Sequence, residues 1–455
     1  MRIIIAGAGQ VGVGLAKYLR AEKHDIVLID QEAEKLGNLS EQLDIQTVVG
    51  SAALPSVLEK AGAGEADIFL AVTGSDEINI VGCGLAYTLF KIPQRIVRLT
   101  KHEYLLHKYK DYLKAQNLDV VLSPEVETAR HLLDSLTIAS AVDLFKLADD
   151  QARVIGLRCK KSSPMLSKTV AEVTTMLTGV RAKVIAIRRR QRLVNLQKAL
   201  IRHLDDVYFV VAKDDFQQLL DVLAYQKIDP NGVIVFGGGK VGYQLTRQME
   251  ELPRYKNVTV VEKDEDRARY LAERLDKTVV IHGDGLDEAL LDDLNLKNYQ
   301  IAIATTQSDE SNVLLSLLSK RNQIDKTSAL IHNQLYRDLT FEMGIDVAVD
   351  PNAVLISAIL QHIRKGRVKN DYFISSVVGE ILEAEALETA KITAKEIAKI
   401  KIPEGIVLAG IVREGIFYLP EPTFKIEVGD RVLLFVEKGH VREAENLLTV
   451  GFSFF

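Results

Sequence analysis

The chain of 455 residues contains an internal repeat, and its second half follows the order of its first half. Residues 2–12 (RIIIAGAGQVG) return as residues 232–242 (GVIVFGGGKVG), each an apolar run that leads into a glycine-rich turn. Later in each half, residues 184–189 (VIAIRR) return as residues 408–413 (LAGIVR). Because similarity that keeps its order along the chain indicates a duplicated structural unit, we expect two related halves.

Each half is predicted to hold a large lobe followed by a small lobe. In the first large lobe, short apolar strands alternate with segments of helical period, at residues 3–6, 26–29, 47–49, 68–72 and 95–99. This alternation is typical of βαβ units and a buried parallel sheet. The small lobes show strand-like runs, such as residues 407–412 and 430–436, and end in a helical segment at 440–448.

The predicted fold class is therefore α/β, with two tandem Rossmann-like, doubly wound parallel-sheet lobes, each followed by a small α+β lobe. The halves join at residues 229–232 (DPNG), which are turn formers. The predicted lobe boundaries are 1–133, 134–228, 229–364 and 365–455.

Composition excludes several classes of protein. Lys and Arg total 57 against 62 Asp and Glu, so the chain lacks the positive charge typical of nucleic-acid binding, and we expect no nucleic-acid partner. Cys83 and Cys159 have no CxxC spacing, which indicates neither a disulfide framework nor a metal site. No run of eighteen apolar residues and no signal-peptide pattern occurs, so we expect no membrane span and no export.

A glycine loop of the form GxGxxG, formed by Gly7, Gly9 and Gly12, follows the first predicted strand and opens a helix. In that context the first glycine makes the turn, the second admits a pyrophosphate, and the helix N-terminus attracts the anion. Asp30 ends the second strand, where a carboxylate can accept hydrogen bonds from an adenosine ribose, and Glu262 repeats it. The alternative is that the glycine turn serves only to pack the helix against the strand, with Asp30 and Glu262 as solvated charges. The presence of the loop and the acid in both halves disfavours this alternative. Both acids favour NAD over NADP, whose 2′-phosphate they repel.

The end of the fourth strand supplies further candidates, which are Thr73, Gly74, Thr306 and Gln307. They are predicted to lie at the sheet edge where ligands of doubly wound folds bind. The residues that follow, 75–77 and 308–310, have a second interpretation, which we favour, as a helix N-cap with first-turn acids that support the helix dipole. Arg98 ends the fifth strand and can reach a phosphate or stack on adenine, whereas its counterpart is Ile331.

The two loops differ at one charged position. Gln10 in the first loop is replaced by Lys240 in the second, and a cation beside a phosphate cradle attracts a more highly charged phosphate. The hypothesis is that the second site prefers ATP or ADP relative to the first. The alternative is that Lys240 is a solvated residue at the helix start.

These features together resemble the TrkA family, the regulatory subunits of Trk-type bacterial potassium uptake, with each half similar to a regulator-of-potassium-conductance (RCK) unit. The resemblance covers essentially the whole chain and rests on the glycine loop with Asp30 and on residues 71–77, 123–125, 359–366 and 428–432. It implies a peripheral protein on the cytoplasmic face of the inner membrane. It also implies a homo-oligomeric ring that binds NAD(H), or ATP or ADP, and gates an integral-membrane potassium transporter subunit.

Carried over position by position, the resemblance places nucleotide contacts on nine residues of the first half, which are Gly7, Ala8, Gly9, Gln10, Val11, Asp30, Thr73, Gly74 and Arg98. In the second half it places them on Gly237, Gly238, Gly239, Lys240, Val241, Glu262, Thr306 and Gln307. The first small lobe departs from the family pattern, because it lacks the turn at residues 403–405 and carries arginines at 188–190 and 192. We interpret that basic run as a solvated face, with contact to a partner protein or lipid headgroups as the alternative.

Two rival functions start from the same fold. An NAD-dependent oxidoreductase needs an acid and a base beside the cofactor, yet the nine histidines form no motif and neither HExxH nor GxSxG occurs. A DNA repressor that senses NAD needs a basic helix-turn-helix, which is not evident. We therefore predict no catalytic residues and a function that is not enzymatic.

Helical apolar stripes join the large lobes to the small ones, at Leu132, Leu133, Leu136 and Ala139 and again at Leu355, Ile356, Ile359, Leu360 and Ile363. They are interpreted as core, and the alternative is a swapped dimer contact.

Overall fold

The computed structural model describes residues 1–190, 192–363, 370–375, 379–388 and 390–448. The chain divides into two compact units, the first formed by Met1–Glu127 with Asn352–Gly366 and the second by Thr128–Pro351 with Arg367–Phe455. Each unit combines residues from both halves of the repeat. The four lobe boundaries taken from the sequence stay a prediction, and residues 364–366 of the predicted family motif lie outside the described part.

The first large lobe is a parallel sheet of six strands in the order β3-β2-β1-β4-β5-β6. Its strands are β1 (Arg2–Ala6), β2 (Asp25–Asp30), β3 (Gln46–Val49), β4 (Ile68–Ala71), β5 (Gln94–Arg98) and β6 (Val120–Leu122). Its helices are α1 (Gln10–Ala21), α2 (Ala33–Leu43), α3 (Pro55–Lys60), α4 (Asp76–Thr88), α5 (His102–Leu105) and α6 (Lys110–Ala115), with 3-10 turns at Ala63–Glu65 and His107–Tyr109.

This strand order confirms the doubly wound fold. The central strands are apolar on both faces, and Ile3, Ile4 and Ile5 are fully buried, because helices cover both sides of the sheet. The order reverses between β1 and β4, which opens a crevice at their carboxyl ends. The five strands expected from the sequence are present. The sixth, β6, was missed because it has only three residues.

The second large lobe repeats this sheet in the order β14-β13-β12-β15-β16-β17. Its strands are β12 (Gly232–Phe236), β13 (Asn257–Glu262), β14 (Val279–His282), β15 (Ile301–Ala304), β16 (Lys326–Leu330) and β17 (Val347–Val349). Its helices are α10 (Lys240–Glu250), α11 (Glu265–Ala272), α12 (Glu288–Asp293), α13 (Asp309–Arg321) and α14 (Gln334–Glu342), with a 3-10 turn at Leu296–Asn298.

A helix follows each large lobe and carries apolar residues of the predicted stripes, but the first helix ends before Leu136 and Ala139, which were predicted to belong to it. After the first lobe comes α7 (Pro124–Ser135), and after the second comes α15 (Pro351–Ile363). From Asn352 onward, α15 belongs to the first unit, where the Nε2 of Gln94 donates to the backbone oxygen of His362 at 2.8 Å. A Cβ built on Gly14 would lie 2.4 Å from the Cδ1 of Ile356. The stripe of α15 is thus buried within this chain, as the core interpretation expects.

The first small lobe is an antiparallel sheet in the order β10-β9-β11-β8-β7. Its strands are β7 (Ala141–Leu147), β8 (Ala152–Arg158), β9 (Ala182–Arg189), β10 (Arg192–Leu193) and β11 (Asp206–Ala212), and its helices are α8 (Val170–Met176) and α9 (Phe216–Val222). The helices cover one face of the sheet through a cluster of buried side chains that includes Phe209, Leu219 and Leu220.

The second small lobe repeats the plan in the order β18-β19-β22-β20-β21. It contains β18 (Asn370–Ser375), β19 (Gly379–Glu385), β20 (Ile406–Arg413), β21 (Ile416–Tyr418), β22 (Arg431–Val436) and α16 (Val441–Leu448), with a 3-10 turn at Ile397–Lys399. The two small sheets share one apolar cluster, to which Tyr208 and Ile185 contribute from the first and Phe435 and Ala409 from the second. Both small lobes are α+β, as predicted.

The basic run of the first small lobe differs from its predicted role. Arg188 is only 14% exposed, and its Nη2 lies 2.6 Å from an oxygen of Asp206. The Nη2 of Arg189 lies 2.8 Å from Asp205, whose side chain is 1% exposed. The solvated-face interpretation is therefore wrong for these two arginines, because the acids that pair with them follow in β11 and its approach. Arg190 does fit it, with a side chain that is 87% exposed.

Both cysteines are buried free thiols. Burial raises the pKa of both thiols, that of Cys159 to about 11, so neither is a thiolate at neutral pH.

Within the described residues, every helix is too short or too polar to cross a lipid bilayer.

Candidate functional sites at the two glycine loops

The first glycine loop connects β1 to α1 at the crevice of the first sheet. Gly7 has a φ of +111°, which glycine adopts without strain, and its N–H donates to the backbone oxygen of Ile29 at 2.7 Å. A Cβ on Gly12 would lie 1.8 Å from the carbonyl oxygen of Gly7, so this contact requires glycine. Nothing lies within 4 Å of a Cβ built on Gly9, which leaves open space above the loop.

Asp30 holds this loop from the end of β2. One carboxylate oxygen accepts from the N–H of Ala8 at 2.6 Å, and the other accepts from the N–H of Glu32 at 3.0 Å. Since each carboxylate oxygen has two acceptor sites, Asp30 keeps capacity for a further donor. Sequence and structure thus agree that Asp30 stands beside the loop. Its hydrogen bond to a ribose stays a prediction.

Thr73 and Arg98 are tied together by a residue that sequence reasoning missed. The Oδ1 of Asn79 accepts from the N–H of Thr73 at 3.0 Å and from its hydroxyl at 2.6 Å. The amide nitrogen of Asn79 donates to the backbone oxygen of Arg98 at 3.0 Å. Asn79 is 1% exposed and joins the ends of β4 and β5. The signal that pointed to it is its repetition as Asn312.

Ser75 caps α4, and Asp76 and Glu77 lie in its first turn, as the favoured interpretation predicted. The hydroxyl of Ser75 accepts from the N–H of Ile78 at 3.3 Å, and the carboxylate of Asp76 accepts from the N–H groups of Thr100 and Lys101. Arg98 instead keeps a buried Nε with no hydrogen-bond partner among the described residues. An unpaired buried guanidinium nitrogen at the crevice is suited to an anionic ligand.

The second loop repeats the first with the same contacts. Gly237 has a φ of +95°, and a Cβ on Gly242 would lie 2.0 Å from its carbonyl oxygen. Glu262 accepts from the N–H of Gly238 at 2.7 Å and from the N–H of Asp264 at 2.9 Å. The repeat in sequence is therefore a repeat in geometry, including the acid that holds the loop.

The second loop opens on a cavity of about 620 Å³. Of the residues predicted for this site, those that line the cavity are Gly237, Gly239, Lys240, Glu262, Thr306 and Gln307. Gly238 and Val241 do not line it, although the N–H of Gly238 takes part in the loop contact described above. Its volume is in the range of pockets that hold small organic ligands.

Charged side chains of both signs line this cavity. Lys263 donates to Asp284 at 2.8 Å, which lowers the pKa of the Asp284 carboxyl and raises the pKa of Lys263. The Nε of Arg267 donates to the backbone oxygen of Gly238 at 2.7 Å. Sequence reasoning missed Arg267, because it belongs to no recognised motif. It reaches the loop from the first turn of α11.

Thr306 and its neighbours reproduce the network of the first site. The Oδ1 of Asn312 accepts from the N–H of Thr306 at 2.9 Å, and Asp309 accepts from the N–H groups of His332 and Asn333. Burial raises the pKa of the Asp309 carboxyl, but these hydrogen bonds outweigh it and hold the pKa below its usual value. Asp309 therefore stays ionised at neutral pH and fixes the start of α13.

Among the described residues, no group of three or more His, Cys, Asp or Glu side chains is placed to hold a metal ion. The lining of the cavity at the second glycine loop contains no histidine, cysteine or tyrosine.

Comparison with known proteins decides the family. The TrkA-N domain model matches residues 3–124 and 233–351, and the TrkA-C domain model matches residues 381–449. The chain belongs to the TrkA family. A TrkA-family relative, the Trk system potassium uptake protein TrkA of Halomonas elongata, is 33% identical over the whole length of both chains. The resemblance stated from the sequence is thus confirmed.

Solved structures confirm the fold of this TrkA-family chain. The crystal structure of the GsuK RCK domain aligns with a TM-score of 0.61 at 17% identity, over 98% of this chain and 94% of that one. A GsuK channel bound to NAD aligns with the same TM-score, 0.61, at 16% identity, over 98% of this chain and 78% of that one. At such identities the likeness concerns the fold.

Proposed function

We propose that this chain is the regulatory subunit of a Trk-type potassium uptake system, which binds NAD(H) and adenine nucleotides at its two glycine loops. The observation that carries the proposal is the duplicated loop, each copy held by a strand-end acid, in a chain of the TrkA family. Bound nucleotide gates a separate integral-membrane potassium transporter subunit and is not consumed.

The first-site contacts we propose are the loop residues 7–11 together with Asp30, Thr73, Gly74 and Arg98. In this arrangement the N–H groups at the start of α1 and the Arg98 guanidinium bind phosphates, while Asp30 accepts from the ribose. The second site uses residues 237–241, Glu262, Thr306 and Gln307 in the same roles. The same fold is bound to NAD in the GsuK channel, which supports a nucleotide at this crevice.

The first site is linked to a helix of the second half. The amide nitrogen of Asn352, in the first turn of α15, lies 2.6 Å from the amide oxygen of Gln10 in the first loop. A nucleotide phosphate at this loop competes for the space around Gln10 and so acts on α15. Since α15 precedes the second small lobe in the chain, we propose that ligand binding at the loop acts on that lobe through α15.

The family assignment supports a proposal for assembly and location. We propose a homo-oligomeric ring at the cytoplasmic face of the inner membrane, in contact with the transporter. A closed ring multiplies two sites per chain, so that modest couplings of about 1–3 kcal/mol per ligand add together.

An NAD-dependent oxidoreductase is the rival function, and the cavity at the second glycine loop disfavours it. Hydride transfer to a small substrate requires a general acid or base beside the cofactor, most often histidine. Three charged residues of this cavity, Glu262, Lys263 and Arg267, are engaged in hydrogen bonds with its walls. We therefore propose a function that is not enzymatic.

Calorimetry is expected to find two nucleotide sites per chain. Asp30→Ala should weaken the first site by about 1–3 kcal/mol, because a charged acceptor for ribose hydroxyls is lost, and leave the second site unchanged. Glu262→Ala should do the reverse, so each variant is the control for the other. A single site in the wild-type chain, or equal weakening of both sites by either variant, contradicts the proposal.

Lys240→Gln is expected to lower the ATP-to-NAD affinity ratio of the second site. Lys240 lines that cavity, and removing its charge weakens a triphosphate more than a dinucleotide diphosphate. Lys256→Gln, an exposed lysine outside the cavity, is the control with the same loss of charge. An unchanged ratio in Lys240→Gln shows that this lysine is only a solvated residue at the helix start.

A further inference from the structure

Another cavity lies in the second unit, and its lining contains no residue of either glycine loop. It has a volume of about 520 Å³ and lies where the first small lobe meets the second large lobe. Five segments of the chain form its walls, and the residues on them that carry the argument are Ser140, Lys160, Ser163, Lys227, Asp229 and Asp325. We call it the joint cavity.

The joint cavity is bounded by residues 136–140, which connect α7 to β7 and which we call the hinge. Residue Ile138 pairs with Lys227 in an antiparallel bridge, and the N–H of Ala139 donates to the backbone oxygen of Gln226 at 3.1 Å. The hinge is therefore paired with the linker that enters the second half. A ligand held between these segments fixes the angle at which the first small lobe leaves the hinge.

Lys326 fixes the hinge from the side of the second large lobe. It is fully buried in β16, and its Nζ donates to the backbone oxygens of Ile138 at 2.9 Å and Ala141 at 2.8 Å. These two carbonyls flank Ala139 and Ser140, which line the cavity. The hinge is thus held on one side by the amine of Lys326, and on its other side Ala139 and Ser140 face the cavity.

The hinge contributes a polar group without a partner to the cavity. Ser140 is 2% exposed, and its hydroxyl has no hydrogen-bond partner among the described residues. Its φ of +64° is uncommon for a residue with a side chain, so the hydroxyl is held at this position at the expense of backbone strain. A buried hydroxyl without a partner is unfavourable unless a ligand or water supplies one.

Two lysines, Lys160 and Lys227, also line the cavity. Neither Lys160 nor Lys227 forms an ion pair within 4.0 Å among the described residues, although Asp229 and Asp325 line the cavity as well. The carboxylate of Asp229 instead accepts from the side chain of Asn231 at 2.7 Å. The cations are left available to an external anion.

We propose that the joint cavity binds a small oxyanionic metabolite, whose phosphate or carboxylate group lies between Lys160 and Lys227 and accepts from the Ser140 hydroxyl. The cavity exceeds a lone phosphate in size and leaves room for a small organic body. Asp229 and Asp325 repel a ligand that is anionic at both ends and favour one with hydroxyl or amino groups on that body. This site is separate from the nucleotide sites and acts on the hinge directly.

The test titrates the full chain with inorganic phosphate, and separately with lactate, which carries one carboxylate and one hydroxyl group, at constant ionic strength. Lys160→Gln with Lys227→Gln is expected to weaken binding at least tenfold. Ser140→Gly removes the hydroxyl while relieving the strained φ, and it should weaken binding without loss of stability. Lys161→Gln with Lys198→Gln, both exposed and outside the cavity, removes the same charge and should leave affinity unchanged.

The outcomes separate this site from the glycine loops. Binding of either probe that survives in Asp30→Ala and Glu262→Ala but fails in the lysine pair supports the joint cavity, and the stronger probe identifies the headgroup. Binding that is lost in the loop variants instead, equal weakening in the control pair, or no saturable binding up to about 20 mM overturns it.

Discussion

Gly12→Ala is expected to unfold the first glycine loop and abolish its nucleotide binding. The added Cβ would lie 1.8 Å from the carbonyl oxygen of Gly7, a contact that only backbone movement relieves. Forcing an atom into a packed site destabilises by about 1–3 kcal/mol, and here the displaced group is the loop itself. Thermal or denaturant unfolding measures the first effect, and calorimetry should show one site per chain.

Gly9→Ala is the matched control. Nothing lies within 4 Å of a Cβ at Gly9, so the variant should keep wild-type stability. Its methyl group would nevertheless stand where a pyrophosphate approaches, and nucleotide affinity at the first site should fall. If Gly12→Ala is as stable as Gly9→Ala, the close helix–loop contact does not exist in solution. If Gly9→Ala binds nucleotide normally, the phosphate does not lie over this loop.

The second large effect concerns stability against pH. Burial lowers the pKa of Lys326 to about 7, and the positive charges of Lys320, Arg158 and Lys160 add to this against the carboxylate of Asp346. In the unfolded chain the same amine has its ordinary pKa of 10.5. Between these values the unfolded chain binds more protons, so the free energy of unfolding rises with pH over that window.

Lys326→Met is expected to remove this dependence. The contribution reaches at most about 5 kcal/mol between pH 7 and 10.5, by conversion of the full shift. The free energy of unfolding of the wild type minus that of Lys326→Met should therefore rise as pH rises through the window and stay constant below it. Lys297→Met, at an exposed position of the same lobe, should show no such trend. Parallel stability curves for wild type and Lys326→Met contradict a neutral buried amine.

Features that occur in both halves were predictable from the sequence. The parallel sheets, the glycine loops, and Asp30 and Glu262 at the strand ends each depend on local pattern, and the repeat confirmed the pattern twice. Asn79 was missed, although it too is repeated, because an asparagine inside a helix carries no motif. Its role depends on two strand ends that meet only in the folded lobe.

Long-range pairing explains the errors. Arg188 lies 18 positions before Asp206, and only the antiparallel sheet brings the two together. Arg267 reaches the second loop from α11, and Lys326 reaches the hinge from 185 positions along the chain. The position of α15 in the first unit could not be predicted either. Hydrophobic periodicity shows that one face of a helix is apolar, but it does not show which lobe covers that face.

Potassium flux through the reconstituted transporter, measured with NAD, NADH and ATP in turn, tests the central claim most directly. The account predicts flux that depends on the nucleotide, no consumption of NADH, and loss of the response when Asp30→Ala and Glu262→Ala are combined. Flux that is the same with and without nucleotide, or steady oxidation of NADH with a small substrate, would contradict it.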